Sequence, residues 1–148
     1  MNKIELIDLK LKTFTKQDAE DYCQLNNINI DKVTRLDFQF NKLTDISGIK
    51  LFKNLKVLYL LFNDITDISV IQYLIKLQDL DISYTQIKDI SVIQYLIKLQ
   101  DLDIKGLGLE SDQIQYIKNL KNLEILWCEN GFKNMSVLNQ LNKNIKIK

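Results

Sequence analysis

The sequence contains no histidine and no proline, and it has only four glycines and two cysteines in 148 residues. Without histidine, the chain lacks the usual acid/base group at neutral pH and the commonest nitrogen ligand of zinc, which excludes catalytic triads that use histidine. The glycines form neither of the phosphate-binding patterns GxGxxG and GxxxxGK. We therefore expect a protein that is not an enzyme and that needs no cofactor.

Cysteine content, charge and hydropathy restrict the compartment and the partners. Cys23 and Cys128 are too few for a disulfide framework and fit a reducing environment as small buried residues. Twenty Lys and Arg against nineteen Asp and Glu leave a net charge of +1, which gives no overall attraction to nucleic acid or to an acidic membrane. Charges interrupt the amino terminus, and no apolar run reaches the length of a signal peptide or a membrane span. If Met1 is the native start, we expect a cytoplasmic protein with no nucleic-acid and no membrane partner.

An internal repeat of about 22 residues dominates the chain. The stretch DISVIQYLIKLQDLDI occurs at residues 67–82 and again, unchanged, at residues 89–104. Stacking the sequence on this period gives five units, which begin at Val33, Leu55, Leu77, Leu99 and Leu120. One apolar column then reads Leu36, Leu58, Leu80, Leu102, Leu123, and a second reads Phe38, Leu60, Ile82, Ile104, Ile125, with steps of 22, 22, 22 and 21 residues.

Within each unit the apolar spacing changes from two residues to about three. Alternation at Leu80 and Ile82 predicts a short strand with one buried face. Ile90, Ile93 and Leu96 then recur every three residues, as in a 3₁₀ or loosely helical segment. Because one such unit cannot bury its apolar face alone, we expect the strands to stack in parallel, about 4.8 Å apart, around a common core.

The repeated pattern LxxLxLxxNxIxDIxxIxxLxxL resembles the 22-residue leucine-rich repeat, in the form found in intracellular phosphatase regulators and bacterial internalins. The resemblance implies an α/β solenoid with a short parallel sheet on its concave face and 3₁₀, helical or irregular segments on its convex face. The position where the family keeps asparagine reads Asn41, Asn63, Thr85, Leu107, Cys128. The family's asparagine ladder is therefore incomplete, and glycines at 106 and 108 predict a reshaped turn beside Leu107.

Both ends of such a stack need a cover, because the outer strands would otherwise expose core and unpaired backbone. We expect residues 1–32 to form an N-terminal capping region, in which Thr15 caps a helix over KQDAEDYCQL. The five repeats are predicted at residues 33–54, 55–76, 77–98, 99–119 and 120–141. Residues 142–148 place Ile145 and Ile147 at strand spacing, which predicts a terminating strand.

Strand residues that alternate with the buried columns would face outward on the concave sheet. Four aspartates cluster at its middle with Glu124 beside them, and apolar or aromatic residues lie to either side. Aspartates about 5 Å apart repel each other by roughly 1 to 3 kcal/mol per pair, and a basic partner would relieve that repulsion. The candidate contact residues are Tyr59, Leu61, Phe62, Asp79, Asp81, Tyr84, Asp101, Asp103, Glu124, Leu126 and Trp127.

A simpler origin of the aspartates stays open, because duplication of one unit copies Asp79 and Asp81 onto Asp101 and Asp103 without any role in binding. The aromatic side chains could likewise fold over the turns as a satellite of the core. No metal site is expected, since a flat sheet supplies carboxylates but no wrapping loop for calcium or magnesium. Nucleic acid is disfavoured because the readable face is acidic.

The family resemblance implies a non-catalytic recognition module that binds a protein or peptide with a basic segment through the concave face. A regulatory subunit of an enzyme and an inhibitor or immunity-type protein both fit this description. The alternative is a structural scaffold or self-associating component that uses an apolar convex patch of Tyr73, Ile75, Tyr95 and Ile97. These four residues could instead close the convex core, and the chain is expected to be a monomer or a weak homodimer.

Overall fold

The computed structural model describes residues 12–148 and the backbone of residues 3–5. Within this part of the chain, seven parallel strands form one sheet in sequence order. The strands are β1 (Lys3–Glu5), β2 (Arg35–Asp37), β3 (Val57–Tyr59), β4 (Asp79–Asp81), β5 (Asp101–Asp103), β6 (Ile125–Trp127) and β7 (Lys146–Ile147). The helices are α1 (Lys16–Leu25) and α2 (Ile114–Lys118), and 3₁₀ segments cover Ile30–Lys32, Ser47–Leu51, Ser69–Tyr73, Ser91–Tyr95, Ser111–Gln113 and Met135–Gln140. The predicted solenoid, with its N-terminal helix, is confirmed.

The strand register follows the predicted buried column through the first four repeats. Leu36 pairs with Leu58, Leu58 with Leu80, and Leu80 with Leu102, and all four side chains are buried. Each of the strands β2 to β6 has one buried residue between two half-buried ones, because successive side chains point to opposite faces. The buried face meets the 3₁₀ segments, and the other face forms the concave surface.

An acidic or amide side chain starts most of the 3₁₀ segments. The Ser69 and Ser91 amides each donate to an aspartate two residues earlier, Asp67 and Asp89, at 2.7 Å. This short-range bond supplies a partner to an amide that the first turn of the segment leaves free. The same bond joins Ser47 to Asp45, so the spacing of two residues from aspartate to serine recurs in three repeats. Ile71 and Ile93 then point inward and are fully buried.

Helix α1 covers the front of the stack as expected. The Thr15 hydroxyl accepts a hydrogen bond from the Asp18 amide, while the Asp18 carboxylate accepts from the Thr15 amide at 2.7 Å, which completes a capping box. The bonds that the Asp18 carboxylate accepts from the Thr15 amide and the Thr15 hydroxyl lower the pKa of the Asp18 carboxyl. Ala19 and Cys23 of the helix are buried in the same core as the repeats. Cys23 and Cys128 are both buried and unpaired.

The fifth repeat departs from the predicted register. Leu126, not Leu123, pairs with Leu102, so the step between these strands is 24 residues instead of 21. Two extra residues lie in the segment Glu110–Gln113, where the preceding repeat has only Lys88–Asp89 before its 3₁₀ segment. These two residues account for the whole difference between a step of 24 and one of 22, because the segment Ile114–Leu126, which contains α2, is as long as the corresponding segment Ile90–Leu102.

This shift changes the side chains that reach each column. Leu126 and Cys128 occupy the two buried positions that the sequence assigned to Leu123 and Ile125, and Cys128 therefore does not belong to the asparagine column. Gly131 lies there instead, and its amide donates to the Cys128 carbonyl at 2.7 Å. Within the described residues, no helix is long and apolar enough to cross a membrane.

Candidate functional site

The concave face presents two columns of outward side chains. The first reads Arg35, Val57, Asp79, Asp101, Ile125, Lys146, and the second reads Asp37, Tyr59, Asp81, Asp103, Trp127. In the middle stand four aspartates on two neighbouring strands, Asp79, Asp81, Asp101 and Asp103, which we name the acidic centre. Apolar and aromatic residues lie one strand to either side, and charged residues lie beyond them. The structure thus brings together the predicted aspartates in one two-by-two cluster.

Two aromatic residues hold the outer edges of the acidic centre. The Tyr59 hydroxyl donates to Asp79 Oδ2 at 2.6 Å, and the Trp127 indole Nε1 donates to Asp101 Oδ1 at 3.0 Å. Burial raises the pKa of the Tyr59 hydroxyl, and the bond to Asp79 adds to the increase. Both aromatic rings are therefore fixed by bonds toward the centre of the face, and neither is a loosely placed surface group.

The remaining two aspartates are held from their own strands. Asp81 Oδ1 accepts from the Ser83 amide at 2.9 Å and from the Ser83 hydroxyl at 2.5 Å. Asp103 accepts from the Lys105 amide and forms an ion pair with Lys105 Nζ at 2.9 Å. This bond to Asp103 raises the pKa of the Lys105 ammonium.

Burial and mutual repulsion act on the protonation of the acidic centre. Burial raises the pKa of the Asp81 carboxyl, the Ser83 bonds oppose the increase, and the charge of Asp103 adds to it. Burial also raises the pKa of the Asp101 carboxyl, with a further contribution from the charge of Asp79. The charges of Asp81 and Asp101 thus remain under-compensated in the free protein, although each carboxylate has a hydrogen-bond donor.

Cations cover the faces of the two flanking aromatic rings. The Arg35 guanidinium lies 4.3 Å from the centre of the Tyr59 ring and forms an ion pair with Asp37 at 3.2 Å. Lys105 Nζ lies 5.1 Å from the centre of the Trp127 ring. Such contacts stabilise an exposed aromatic ring by about 0.5 to 1 kcal/mol. Lys148 Nζ also lies over the Trp127 ring, 5.7 Å from its centre.

Three predicted contact residues, Leu126, Glu124 and Trp127, do not lie where the sequence placed them. Leu126 is fully buried, with 0% of its surface exposed, because its side chain points into the core beside Leu102. Glu124 is exposed but precedes β6, where its amide donates to the Gln100 carbonyl, so it lies outside the central column. Ile125 takes the outward position beside Asp101, and Trp127 lies in the central column beside Asp103.

The sequence contained a signal for the correct register. The stretch LKNLEILWC fits the repeat pattern in two frames, one with Leu123 and Ile125 inside and one with Leu126 and Cys128 inside. Counting 22 residues favoured the first frame, whereas the extra residues in Glu110–Gln113 require the second. Val57, which is not among the predicted contact residues, flanks Asp79 as Tyr59 flanks Asp81.

Three aromatic residues just after strands β2, β3 and β4 form a stack, Phe40, Phe62 and Tyr84, which we name the aromatic ladder. Neighbouring ring centres lie 5.3 and 4.8 Å apart and the planes are nearly parallel. The ladder lies at the turn edge, and its rings remain 42% to 70% exposed. Leu61, the residue before Phe62, is half-buried. In the fifth repeat the position that corresponds to Phe40, Phe62 and Tyr84 is occupied by Asn130, whereas the register predicted from the sequence puts Trp127 there.

The convex patch of Tyr73, Ile75, Tyr95 and Ile97 is open to solvent. These four side chains are between 53% and 63% exposed, so they do not close the convex core. The adjacent residues Leu74 and Leu96 fill that core instead. Within the described residues, no group of three or more cysteine or acidic side chains is arranged to hold a metal ion.

Comparison with known proteins supports the repeat assignment. The family model described as "Leucine Rich repeats (2 copies)" matches residues 31–73. An internalin (InlF) from Listeria monocytogenes superimposes with a TM-score of 0.75 at 26% identity, and the match covers 91% of this chain and 37% of the internalin. A sequence search of curated proteins finds no match.

Two further solved structures share the fold. Internalin C2 (InlC2) from the same species has a TM-score of 0.76 at 24% identity, and the match covers 99% of this chain and 69% of InlC2. The leucine-rich repeat protein LIC12759 from Leptospira interrogans has a TM-score of 0.67 at 23% identity, covering 94% and 40% of the two chains. The chain thus spans well under half the length of InlF and of the Leptospira protein.

Proposed function

The chain is a leucine-rich repeat protein, and from this premise we propose that it is a non-catalytic module that binds a protein or peptide through its concave face. Leucine-rich repeat domains are in general protein-interaction modules. The observation that carries the proposal is the acidic centre with an aromatic residue on each side, all on one exposed sheet surface. Its complement is a peptide segment with basic residues in the middle and apolar residues at its ends.

Electrostatics favours a basic partner over a neutral one. Asp81 and Asp103 are register partners on neighbouring strands, about 4.8 Å apart, and repel each other by roughly 1 kcal/mol in water and more as the effective dielectric falls. Lys105 offsets part of this repulsion through its ion pair with Asp103, and a lysine or arginine of a partner placed between the two aspartates would relieve the rest. The flanking side chains Tyr59 and Trp127 already have fixed rings, so their burial costs little conformational entropy.

A display selection tests the proposal without a known partner. Immobilised wild-type protein is used to select from a random peptide library, and the selected peptides are sequenced and their affinities measured. We expect enrichment of lysine and arginine next to aromatic or aliphatic residues, and affinities that fall with salt. Peptides without basic enrichment, or with salt-independent affinity, would contradict the acidic centre as the binding site.

Matched variants locate the binding surface. Asp81→Lys/Asp103→Lys reverses the acidic centre, whereas Asp21→Lys/Asp112→Lys makes the same change in net charge at exposed acids away from the sheet. The first variant is expected to lose the selected peptides by at least about tenfold, the effect of one lost interaction of about 1.4 kcal/mol. The second should bind as the wild type does. Equal binding by both variants would place the peptide elsewhere.

A second candidate function is self-association through the convex patch. The observation in its favour is the exposure of four large apolar side chains in neighbouring repeats, which costs solubility unless a partner covers them. A structural or self-assembling role would use this surface and leave the concave face free. Light scattering of the purified protein tests this candidate, and a monomer at every concentration would contradict it.

The narrower roles follow the same proposal. A regulatory subunit and an inhibitor or immunity-type protein would both present the acidic centre to a basic target, and the identity of the captured target distinguishes them. We also propose a cytoplasmic location, which two buried and unpaired cysteines, Cys23 and Cys128, favour. Fractionation of source cells, followed by detection of the protein, tests that placement.

A further inference from the structure

Lysines lie before, after and along one edge of the convex patch. The rim is formed by Lys53, Lys76, Lys98 and Lys121, all of which are exposed. Lys53 Nζ lies 5.2 Å from the centre of the Tyr73 ring, and Lys76 Nζ donates to Asn54 Oδ1 at 2.6 Å. In the part of the chain that the structure describes, none of these four lysines forms an ion pair. The patch therefore combines an apolar middle with a positive rim.

The positive charge of the rim restricts which partners can bind over the convex patch. Two copies that met patch to patch would bring two lysine rims together, and like charges at an interface oppose association. A partner that covers the patch must therefore offer negative charge next to apolar groups. This requirement disfavours the simplest symmetric dimer and favours partners with an acidic surface.

An acidic surface of this kind exists on the same chain. The acidic centre has apolar or aromatic residues on both sides, and its two pairs of aspartates stand one repeat apart. Lys76 and Lys98 are also one repeat apart, because both surfaces come from the same duplicated unit. The two surfaces thus share one spacing, and the net charge of +1 sets up no strong overall repulsion between copies.

We propose that the convex patch and its rim lysines in one molecule dock onto the acidic centre of a second copy of this chain. The inference rests on the proposed function, because it names a partner for the concave face. The two contact surfaces differ, so each bound molecule leaves one surface of each kind unused. Such heterologous contacts generate head-to-tail assemblies rather than closed two-fold dimers.

Sedimentation of the full chain tests this inference, at about 0.01 M and at about 1 M salt, where the Debye length is about 30 Å and about 3 Å. At low salt the average mass is expected to rise with protein concentration, and at high salt it should return toward the monomer. Asp81→Lys/Asp103→Lys and Lys76→Glu/Lys98→Glu should each weaken the association at least about tenfold. A mixture of the two variants should associate again, because opposite charges then face each other at both contacts.

The control variant Lys32→Glu/Lys143→Glu carries the same charge change as Lys76→Glu/Lys98→Glu, at exposed lysines outside the rim. We expect it to self-associate as the wild type does. The inference is overturned if the wild type stays monomeric at low salt, or if both lysine variants behave alike. It is also overturned if the monomer instead binds vesicles of an anionic lipid through Lys76 and Lys98.

Peptide binding by the lysine variant tests the proposed function separately from the self-association. Lys76→Glu/Lys98→Glu leaves the acidic centre intact, so this variant should still bind the peptides selected on the wild type. If the variant binds those peptides while the wild type stays monomeric, the inference fails and the proposed function stands. If the wild type self-associates but the selected peptides ignore the acidic centre, the proposed function fails by itself.

Discussion

In each of the five repeats, the third residue after the strand has a positive backbone φ angle. Phe40, Phe62 and Tyr84 have φ of 57°, 53° and 52°, Gly106 has 70°, and Asn130 has 54°. Glycine and asparagine tolerate this left-handed region, whereas a bulky side chain there is strained by about 1 to 2 kcal/mol. The aromatic ladder offsets part of this strain, since each stacked pair contributes about 0.5 to 1.5 kcal/mol. The fold alone therefore does not favour aromatic residues at these positions.

Gly106 takes the position after Tyr84 in the row of the aromatic ladder, and the cost of replacing it by alanine can be compared with the cost at Gly108. A Cβ on Gly106 would lie 2.6 Å from Tyr84 Cδ1, whereas a Cβ on Gly108, where φ is 58°, would meet no atom within 4 Å. We expect Gly108→Ala to cost about 1 kcal/mol through backbone strain, and Gly106→Ala about 2 to 3 kcal/mol because the ring must also move. Urea unfolding measures both. Equal costs would show that the ring does not pack on Gly106.

Asp81 allows a prediction of pH dependence. Its carboxyl holds a proton more tightly in the folded than in the unfolded chain, because burial raises its folded pKa. The charged form therefore destabilises the fold, and this effect is absent below the unfolded pKa of about 3.9 and complete above the folded pKa. Asp81→Asn keeps an acceptor for Ser83 and should raise the free energy of unfolding at pH 7 by about 1 kcal/mol, the size of one carboxylate repulsion in high dielectric.

The measurement for Asp81→Asn is urea unfolding at several pH values. The gain over the wild type should shrink toward zero as the pH falls below the unfolded pKa. Asp112→Asn, at an exposed acid away from the sheet, serves as the control and should give a small difference at every pH. A gain that grew on acidification would mean that ionised Asp81 stabilises the fold.

At the scale of elements, apolar spacing predicted the strands and the 3₁₀ segments of four repeats because side-chain period and backbone geometry are tied together. The same spacing predicted the wrong register for β6, in the fifth repeat, because LKNLEILWC satisfies the pattern in two frames. Only the path of the chain through Glu110–Gln113 and α2 chooses between them. The acidic centre was predictable because its repeats have equal length, whereas Ile125 and Trp127 were misplaced because theirs do not.

The attachment of α1 depends on a glycine that no pattern identified. A Cβ on Gly48 would lie 2.2 Å from the Thr15 carbonyl oxygen, and the Gly48 amide donates to the Phe14 carbonyl at 2.7 Å. Gly48→Ala should therefore displace the cap, cost about 2 to 3 kcal/mol and speed hydrogen exchange in α1. Val70→Ala changes the equivalent position of the next repeat, where we expect about 1 kcal/mol and unchanged exchange in α1. Unchanged α1 exchange in Gly48→Ala would contradict the close approach.

At the scale of the whole molecule, the solenoid separates charge without changing its sum. The acidic centre lies on the concave face, the rim lysines lie around the convex patch, and the total remains +1. Duplicating one unit doubled both features at once, since each copy carries aspartates on its strand and a lysine before it. Duplication accounts for the origin of both surfaces, and charge reversal measures whether either is used.

A stack of repeats should also distribute its stability unevenly, and five equivalent hydrogen bonds report on this. The amides of the first strand residues Val57, Asp79, Asp101, Ile125 and Lys146 each donate to the carbonyl of the residue before the preceding strand, at 3.0 Å for the first four and 2.8 Å for Lys146. The five bonds occupy the same position in the repeat, so differences in hydrogen exchange reflect position in the stack. We expect the strongest protection at Asp79 and Asp101, in the middle, and the weakest at Lys146, in the exposed two-residue strand β7. Uniform protection across all five amides would show that the solenoid opens only as a single cooperative unit.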